Sequence, residues 1–120
     1  MKRNEKTNPG LVNLIQELKK HSWKVDAPIW RDIAVRLEKP SRNWAEVNVG
    51  RIARFVKKGE TIVVPGKVLG AGDIDFNVTV GAYQISNQAR KKIELAGGKV
   101  IDIQGLVKAK PKGKGVRIIG

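Results

Sequence analysis

The chain has 120 residues, 41% of them hydrophobic, with no cysteine, 24 Lys and Arg, and 11 Asp and Glu. That is enough for one domain around one modest core and too little for two. The missing thiols exclude disulfides and thiolate metal sites. No apolar run reaches the ~18 residues of a membrane span. Met1-Lys2-Arg3-Asn4 leads into polar sequence rather than a signal-peptide core, so a soluble, cytoplasmic protein is expected.

The formal charge is +13. So much charge on a short chain repels itself, and an abundant polyanion is the usual reason to carry it. The bland alternative is a solvated cationic surface on a protein with another task. The excess is spread out: residues 1–60 hold 14 basic and 7 acidic side chains, residues 61–120 hold 10 and 4. Nucleic acid touching several sides fits that spread better than one docking face.

Met1 to Thr7 is a polar arm carrying Lys2 and Arg3. Asn8-Pro9 predicts an N-cap followed by proline at the first helical position. Leu11, Leu14, Ile15 and Leu18 follow as one apolar stripe, which fades around Lys19-Lys20-His21-Ser22, where cations suit the helix dipole. His21 is the only histidine, and no base–orienter pair or second metal-type side chain accompanies it. A C-terminal cap suits it better than a ligand or a base.

A second helix is expected from near Asp26 or Ala27, with Pro28 in its first turn and Lys39-Pro40 as its stop. Ile29, Ile33 and Leu37 make its stripe, with Trp30 and Ala34 beside them. The pair forms a helical hairpin. A helix-turn-helix DNA reader is the sharper alternative. The connection at Trp23 to Ala27 lacks a glycine, however, and Arg31, Asp32, Arg36 and Glu38 present a face of mixed sign.

Two roles stand open for Trp44 in Ser41-Arg42-Asn43-Trp44. It can stack on an unpaired base, or plug the gap between the hairpin and the core. Arg42 beside it suits a phosphate. Ala45 to Val49 is a short extended piece, and Asn48 can cap a helix from Gly50 to Lys58 that stops at Gly59. On that helix Ile52 and Phe55, with Val56, are expected to face inward, with Arg51, Arg54 and Lys58 as a basic ridge opposite.

Ile62-Val63-Val64 is a continuous apolar run, expected to be a buried strand closed by Pro65-Gly66. A glycine-rich crossing from Lys67 to Gly72 follows, then a second extended segment over Asp75 to Ile85. Ser86 caps a helix over Asn87 to Ala96, Gly97-Gly98 stops it, and Lys99 to Asp102 returns as a strand. Ile103 to Val107 is a helical turn at best.

The closing KAKPKGKGVRIIG sets Lys108, Lys110, Lys112, Lys114 and Arg117 against no acid. Pro111, Gly113 and Gly115 oppose regular structure there, so a partner is expected to order it, with Ile118-Ile119 docking on something apolar. RNA threading is the favoured role, and a targeting or solubilising tail the alternative. The fold class is α+β: an irregular β/α layered core with an N-terminal helical hairpin and a basic C-terminal tail. Residues 1–40 form the arm and helices, 41–107 the core and 108–120 the extension, within one domain.

Enzymatic chemistry has no residues to stand on. Gly66-Lys67 lacks the G-x-x-x-x-G-K-[ST] pattern, and Val68 occupies the position of its magnesium-binding hydroxyl. Asp73 and Asp75 suit a turn better than a metal. No cofactor, metal or small-molecule substrate is expected.

Five stretches together carry a family resemblance. A-E-V-N-V-G-R-I-A-R-F, VVPGKVLGAGDI, V-T-V-x-A-Y-Q-I-S, A-R-K-K-I-E-L-A-G-G-K-V and P-K-G-K-G-V-R-I-I-G are each weak alone, but specific in this order. The chain resembles the archaeal and eukaryotic large-subunit ribosomal protein family eighteen-e, whose core is related to bacterial ribosomal protein fifteen. Its short length is similar to that of the archaeal members. The resemblance implies an irregular β/α fold preceded by helices, and a structural protein bound to large-subunit ribosomal RNA and neighbouring ribosomal proteins. It supplies no catalytic residue and no compact base-reading motif.

The RNA-binding candidates therefore rest on charge, stacking capacity and place. They are Lys2, Arg3, Arg42, Trp44, Arg51, Arg54, Lys67, Lys108, Lys110, Lys112, Lys114 and Arg117. A free-standing nucleic-acid-binding or architectural protein outside the ribosome would share these features. It is the alternative.

Overall fold

The computed structural model describes residues 8–120. Asn8 caps the first helix as its place before Pro9 predicts, its side chain accepting from the N–H groups of Gly10 (2.9 Å) and Leu11 (3.3 Å). Helix α1 (Pro9–Val25) buries Leu11, Leu14, Ile15 and Leu18. It runs past the expected fade because the turn beyond it is fastened. Asp26 takes a left-handed conformation (φ 54°), and the buried Ser22 hydroxyl donates to the Ala27 carbonyl at 2.8 Å.

Helix α2 (Pro28–Glu38) buries Trp30, Ile33, Ala34 and Leu37, and Lys19 meets Glu38 across the hairpin at 2.7 Å. On the mixed-sign outer face Arg36 pairs with Asp32 at 2.9 Å.

After a 3-10 turn (Ser41–Asn43) come β1 (Ala45–Asn48), α3 (Val49–Phe55), β2 (Thr61–Leu69) and β3 (Thr79–Ile85). The chain continues through α4 (Asn87–Leu95), β4 (Lys99–Asp102), α5 (Ile103–Ala109) and β5 (Val116–Ile118). Every recorded strand pair is parallel. The order is β1-β2-β3-β4, with β5 on β2 as well. β5 follows Thr61–Val63 while β1 follows Gly66–Leu69, so the two share one edge of β2 end to end.

Parallel sheets are covered on both faces, and their strands read as unbroken apolar runs. Ile62-Val63-Val64 is such a run. Val63 joins the cluster built by α1, α2 and α5, whereas Ile62 and Val64 join the cluster on the other face with Ile52 of α3 and Ile93 of α4.

Several expectations change. Pro65-Gly66 does not close the strand: β2 continues to Leu69, and its pairing with β3 shifts between Val64 and Lys67. An irregularity there is where a residue without an N–H is tolerated. The second extended segment begins as a strand only at Thr79. Ser86 caps α4 through the Ala89 N–H (3.1 Å) and Gly97 adopts φ 87°, both as expected.

The largest correction concerns residues 103–120. α5 is a formed helix, capped by the Asp102 carboxylate on the Gly105 N–H at 2.6 Å, with Ile103 and Leu106 buried. The following turn is held where the Pro111 carbonyl accepts from Trp30 Nε1 (2.8 Å) and His21 Nε2 (2.7 Å). The chain then enters the sheet as β5, the Ile119 N–H donates to the Val63 carbonyl (3.0 Å), and Ile119 is buried. β1 leaves the first half of that β2 edge bare, and a bare edge takes up any strand with apolar residues to bury. Ile118-Ile119 does dock on apolar surface. That surface is the protein's own core.

Candidate nucleic-acid interface

β1, β2 and β3 end at Asn48, Leu69 and Ile85, so their carboxyl ends lie at one end of the sheet. In parallel sheets that end leaves crevices for ligands. Here the glycine-rich crossing after β2 folds over the start of α3. The Gly50 N–H donates to the Ala71 carbonyl (2.9 Å) and the Ala71 N–H to Asn48 Oδ1 (3.2 Å). Asn48 thus stands at the N-cap position of α3 but spends its side chain on the loop. Gly72 needs its lack of a side chain, since φ is +86° and a Cβ would lie 2.6 Å from Gly50 Cα.

From α4, Lys92 Nζ donates to the carbonyls of Gly70 (2.8 Å) and Gly72, and lies 3.6 Å from Asp73. Asp73 is therefore a partner of Lys92. Among the described residues no three His, Cys, Asp or Glu side chains gather as a metal site.

A groove of about 530 Å³ opens beside this loop, lined by Glu46, Asn48, Gly50, Arg51, Arg54, Ala71 and Gly72. Arg51 and Arg54 are exposed as expected. Phe55 is not where it was expected: it stands 55% exposed, with the guanidinium carbons of Arg51 and Arg54 5.9 and 5.8 Å from its ring centroid. α3 stops at Phe55, and Val56, expected to face inward beside it, does so as an extended residue, 4% exposed. From β5, Arg117 donates to the Phe55 carbonyl at 2.9 Å and lies 3.6 Å from Glu60. The structure so joins Arg51, Arg54 and Arg117, which the sequence separates.

Lys67 lies half-buried in a second groove of about 550 Å³, with Tyr83, Gln84, Ser86 and Arg90. Arg90 is a cation that nothing in the sequence singled out. Its place follows only from the pairing of β2 with β3 and the start of α4 after Ser86.

The remaining candidates are dispersed. Arg42 is exposed in the 3-10 turn. Lys108 borders a groove of about 420 Å³ between α1 and α5, with Leu14, Leu18, His21 and Val107. Lys110, Lys112 and Lys114 are exposed on the turn that Trp30 and His21 hold. Lys2 and Arg3 lie outside the described residues.

Trp44 takes the packing role of its two. It is 9% exposed, its indole N–H donates to the Lys39 carbonyl (3.0 Å), and its ring meets Tyr83 edge-to-face at 5.2 Å. A base cannot stack on a ring enclosed between the hairpin and the sheet.

Residues 46–101, the sheet from β1 to β4 with α3 and α4, match the family described as ribosomal proteins 50S-L15, 50S-L18e and 60S-L27A. The chain is 54% identical to the large ribosomal subunit protein eL18 of Methanoregula boonei over 115 residues, 96% of this chain and 95% of that protein. It is 47% identical to the eL18 protein of Methanococcus maripaludis over 99% of both chains. With that of Archaeoglobus fulgidus the identity is 49%, over 95% of this chain and 97% of the relative. Similarity of this depth also takes in the hairpin and the β5 segment that lie outside residues 46–101. The chain belongs to the eL18 family of large-subunit ribosomal proteins.

Proposed function

We propose that the protein is a structural, non-catalytic constituent of the large ribosomal subunit, bound to large-subunit ribosomal RNA and to neighbouring ribosomal proteins. The observation that carries this is the near full-length identity to proteins named as large-subunit components. The surface supports it: cations stand at the strand ends, on the α5–β5 turn and on the 3-10 turn, around a scaffold with both sheet faces covered.

The mechanism is electrostatic assembly. Lys and Arg side chains replace counterions where phosphates crowd, and the released ions drive binding. Arg42, Arg51, Arg54, Lys67, Lys108, Lys110, Lys112, Lys114 and Arg117 are the proposed phosphate contacts, with Lys2 and Arg3 on the N-terminal arm. Because β5 is already a strand of the sheet, the C-terminal cations arrive in fixed positions and little ordering cost falls on binding.

Purified protein titrated with large-subunit and small-subunit ribosomal RNA over a range of salt tests this. Tighter binding to the large-subunit RNA at every salt concentration is the expected result. Equal affinity for both would instead indicate a nucleic-acid-binding protein outside the ribosome.

A further inference from the structure

Phe55 and the cations around it form a unit that phosphate binding alone does not use. The two guanidinium groups lie within reach of the ring quadrupole, which holds ring and cations together. Lys57 and Lys58 follow directly, both exposed. Among the described residues no carboxylate forms an ion pair with Arg51, Arg54, Lys57 or Lys58, the nearby Glu60 being paired with Arg117. An aromatic side chain beside two unneutralised guanidinium groups, with two exposed lysines next in the chain, matches a ligand that joins a flat π surface to an anion a few bonds away.

An unpaired nucleotide is such a ligand. The groove beside Arg51 and Arg54 adds the Asn48 amide and the Glu46 carboxylate, groups that can meet a base edge. Trp44, the ring whose sequence context suggested stacking, is enclosed in the core.

We propose that Phe55, flanked by Arg51 and Arg54, is a stacking platform for one unpaired RNA base whose phosphates lie against the surrounding cations. This rests on the RNA binding proposed above and names the part of RNA that this face takes. A base-free polyanion would satisfy the cations without using the ring.

The test titrates the whole protein with three probes: a short single-stranded RNA carrying 2-aminopurine, an RNA duplex, and inorganic polyphosphate. Phe55→Leu is expected to weaken single-stranded binding by about 5- to 150-fold, the range that loss of one stacked base implies. It should also remove the 2-aminopurine quench, while duplex and polyphosphate affinities stay at the wild-type level. Phe55→Trp, which restores an aromatic face, is expected to keep both affinity and quench.

Undiminished single-stranded binding by Phe55→Leu overturns the platform while leaving RNA binding intact. So does an equal loss towards polyphosphate, or loss of the quench in Phe55→Trp. If the wild-type protein binds neither RNA, the RNA-binding function itself is overturned, and the platform with it.

Discussion

Trp30 Nε1 donates to the carbonyl of Pro111 at 2.8 Å, tying a fully buried indole of α2 to the turn that carries the C-terminal lysines. His21 Nε2 meets the same carbonyl at 2.7 Å, and its ring stands edge-on to Trp30 at 6.2 Å. One carbonyl thus joins α1, α2 and the segment leading to β5.

Trp30→Phe keeps an aromatic ring but removes the donor. The expected cost is about 1–2 kcal/mol, the range for one lost hydrogen bond with some packing loss. Tryptic cleavage after Lys112 and Lys114 should quicken, because the Pro111 carbonyl is then bonded by His21 alone among its two side-chain donors. Unchanged cleavage kinetics would show that the indole does not hold the turn.

Ile119 and the neighbouring lysines should separate stability from binding. Ile119→Ala empties a buried site and is expected to destabilise the fold by about 2–4 kcal/mol in urea titration. Joint replacement of Lys110, Lys112 and Lys114 by Gln touches only exposed side chains and should change stability by about 0.5 kcal/mol or less. The same replacement should flatten the salt dependence of RNA binding by about 2–3 units of log–log slope. A neutral Ile119→Ala would mean that this segment is not part of the core.

Trp44→Ala is expected to cost about 3–5 kcal/mol, as removal of a buried aromatic does. RNA affinity measured well below the unfolding transition should stay close to wild type. A folded Trp44→Ala protein with a large affinity loss would restore the stacking role that its burial argues against.

Gly72→Ala places a side chain on a left-handed residue facing the Gly50 backbone. The left-handed strain alone is worth about 1–2 kcal/mol, and the close approach adds to it. Faster amide exchange at Ala71 and Gly50, whose N–H groups bond within this junction, is the local signature to measure. Unaltered exchange there would contradict a fixed loop.

Local signals in the sequence located most of the helix starts. Asn8 and Ser86 cap amides within three residues of themselves and Pro28 fixes its own φ at the first helical position, so their effect is visible without knowing the fold. The long-range outcomes were not legible. Whether Val116 to Ile118 forms a strand depends on which edge of β2 remains bare once β1 has paired, a fact of assembly. Phe55 was misplaced because an inward stripe through Ile52 presumes that the helix continues, whereas α3 stops at Phe55 itself.

Lys92 shows the same limit from the polar side. A lysine in a basic chain reads as surface, yet it turns to the carbonyls of Gly70 and Gly72, which a tight loop leaves in need of donors. Of the candidate interface, the basic residues themselves were legible in the sequence, and those described stand exposed or half-exposed. Their grouping around Phe55 was not, because Arg117 reaches that residue only through the β5–β2 pairing.

Sedimentation tests the central claim most directly. Lysate from cells that make the protein is passed through a sucrose gradient after a salt wash, and each fraction is probed for the chain. A structural constituent of the large subunit should co-sediment with that subunit at one copy per particle. Recovery only near the top of the gradient would contradict the ribosomal role and leave a free nucleic-acid-binding protein in its place.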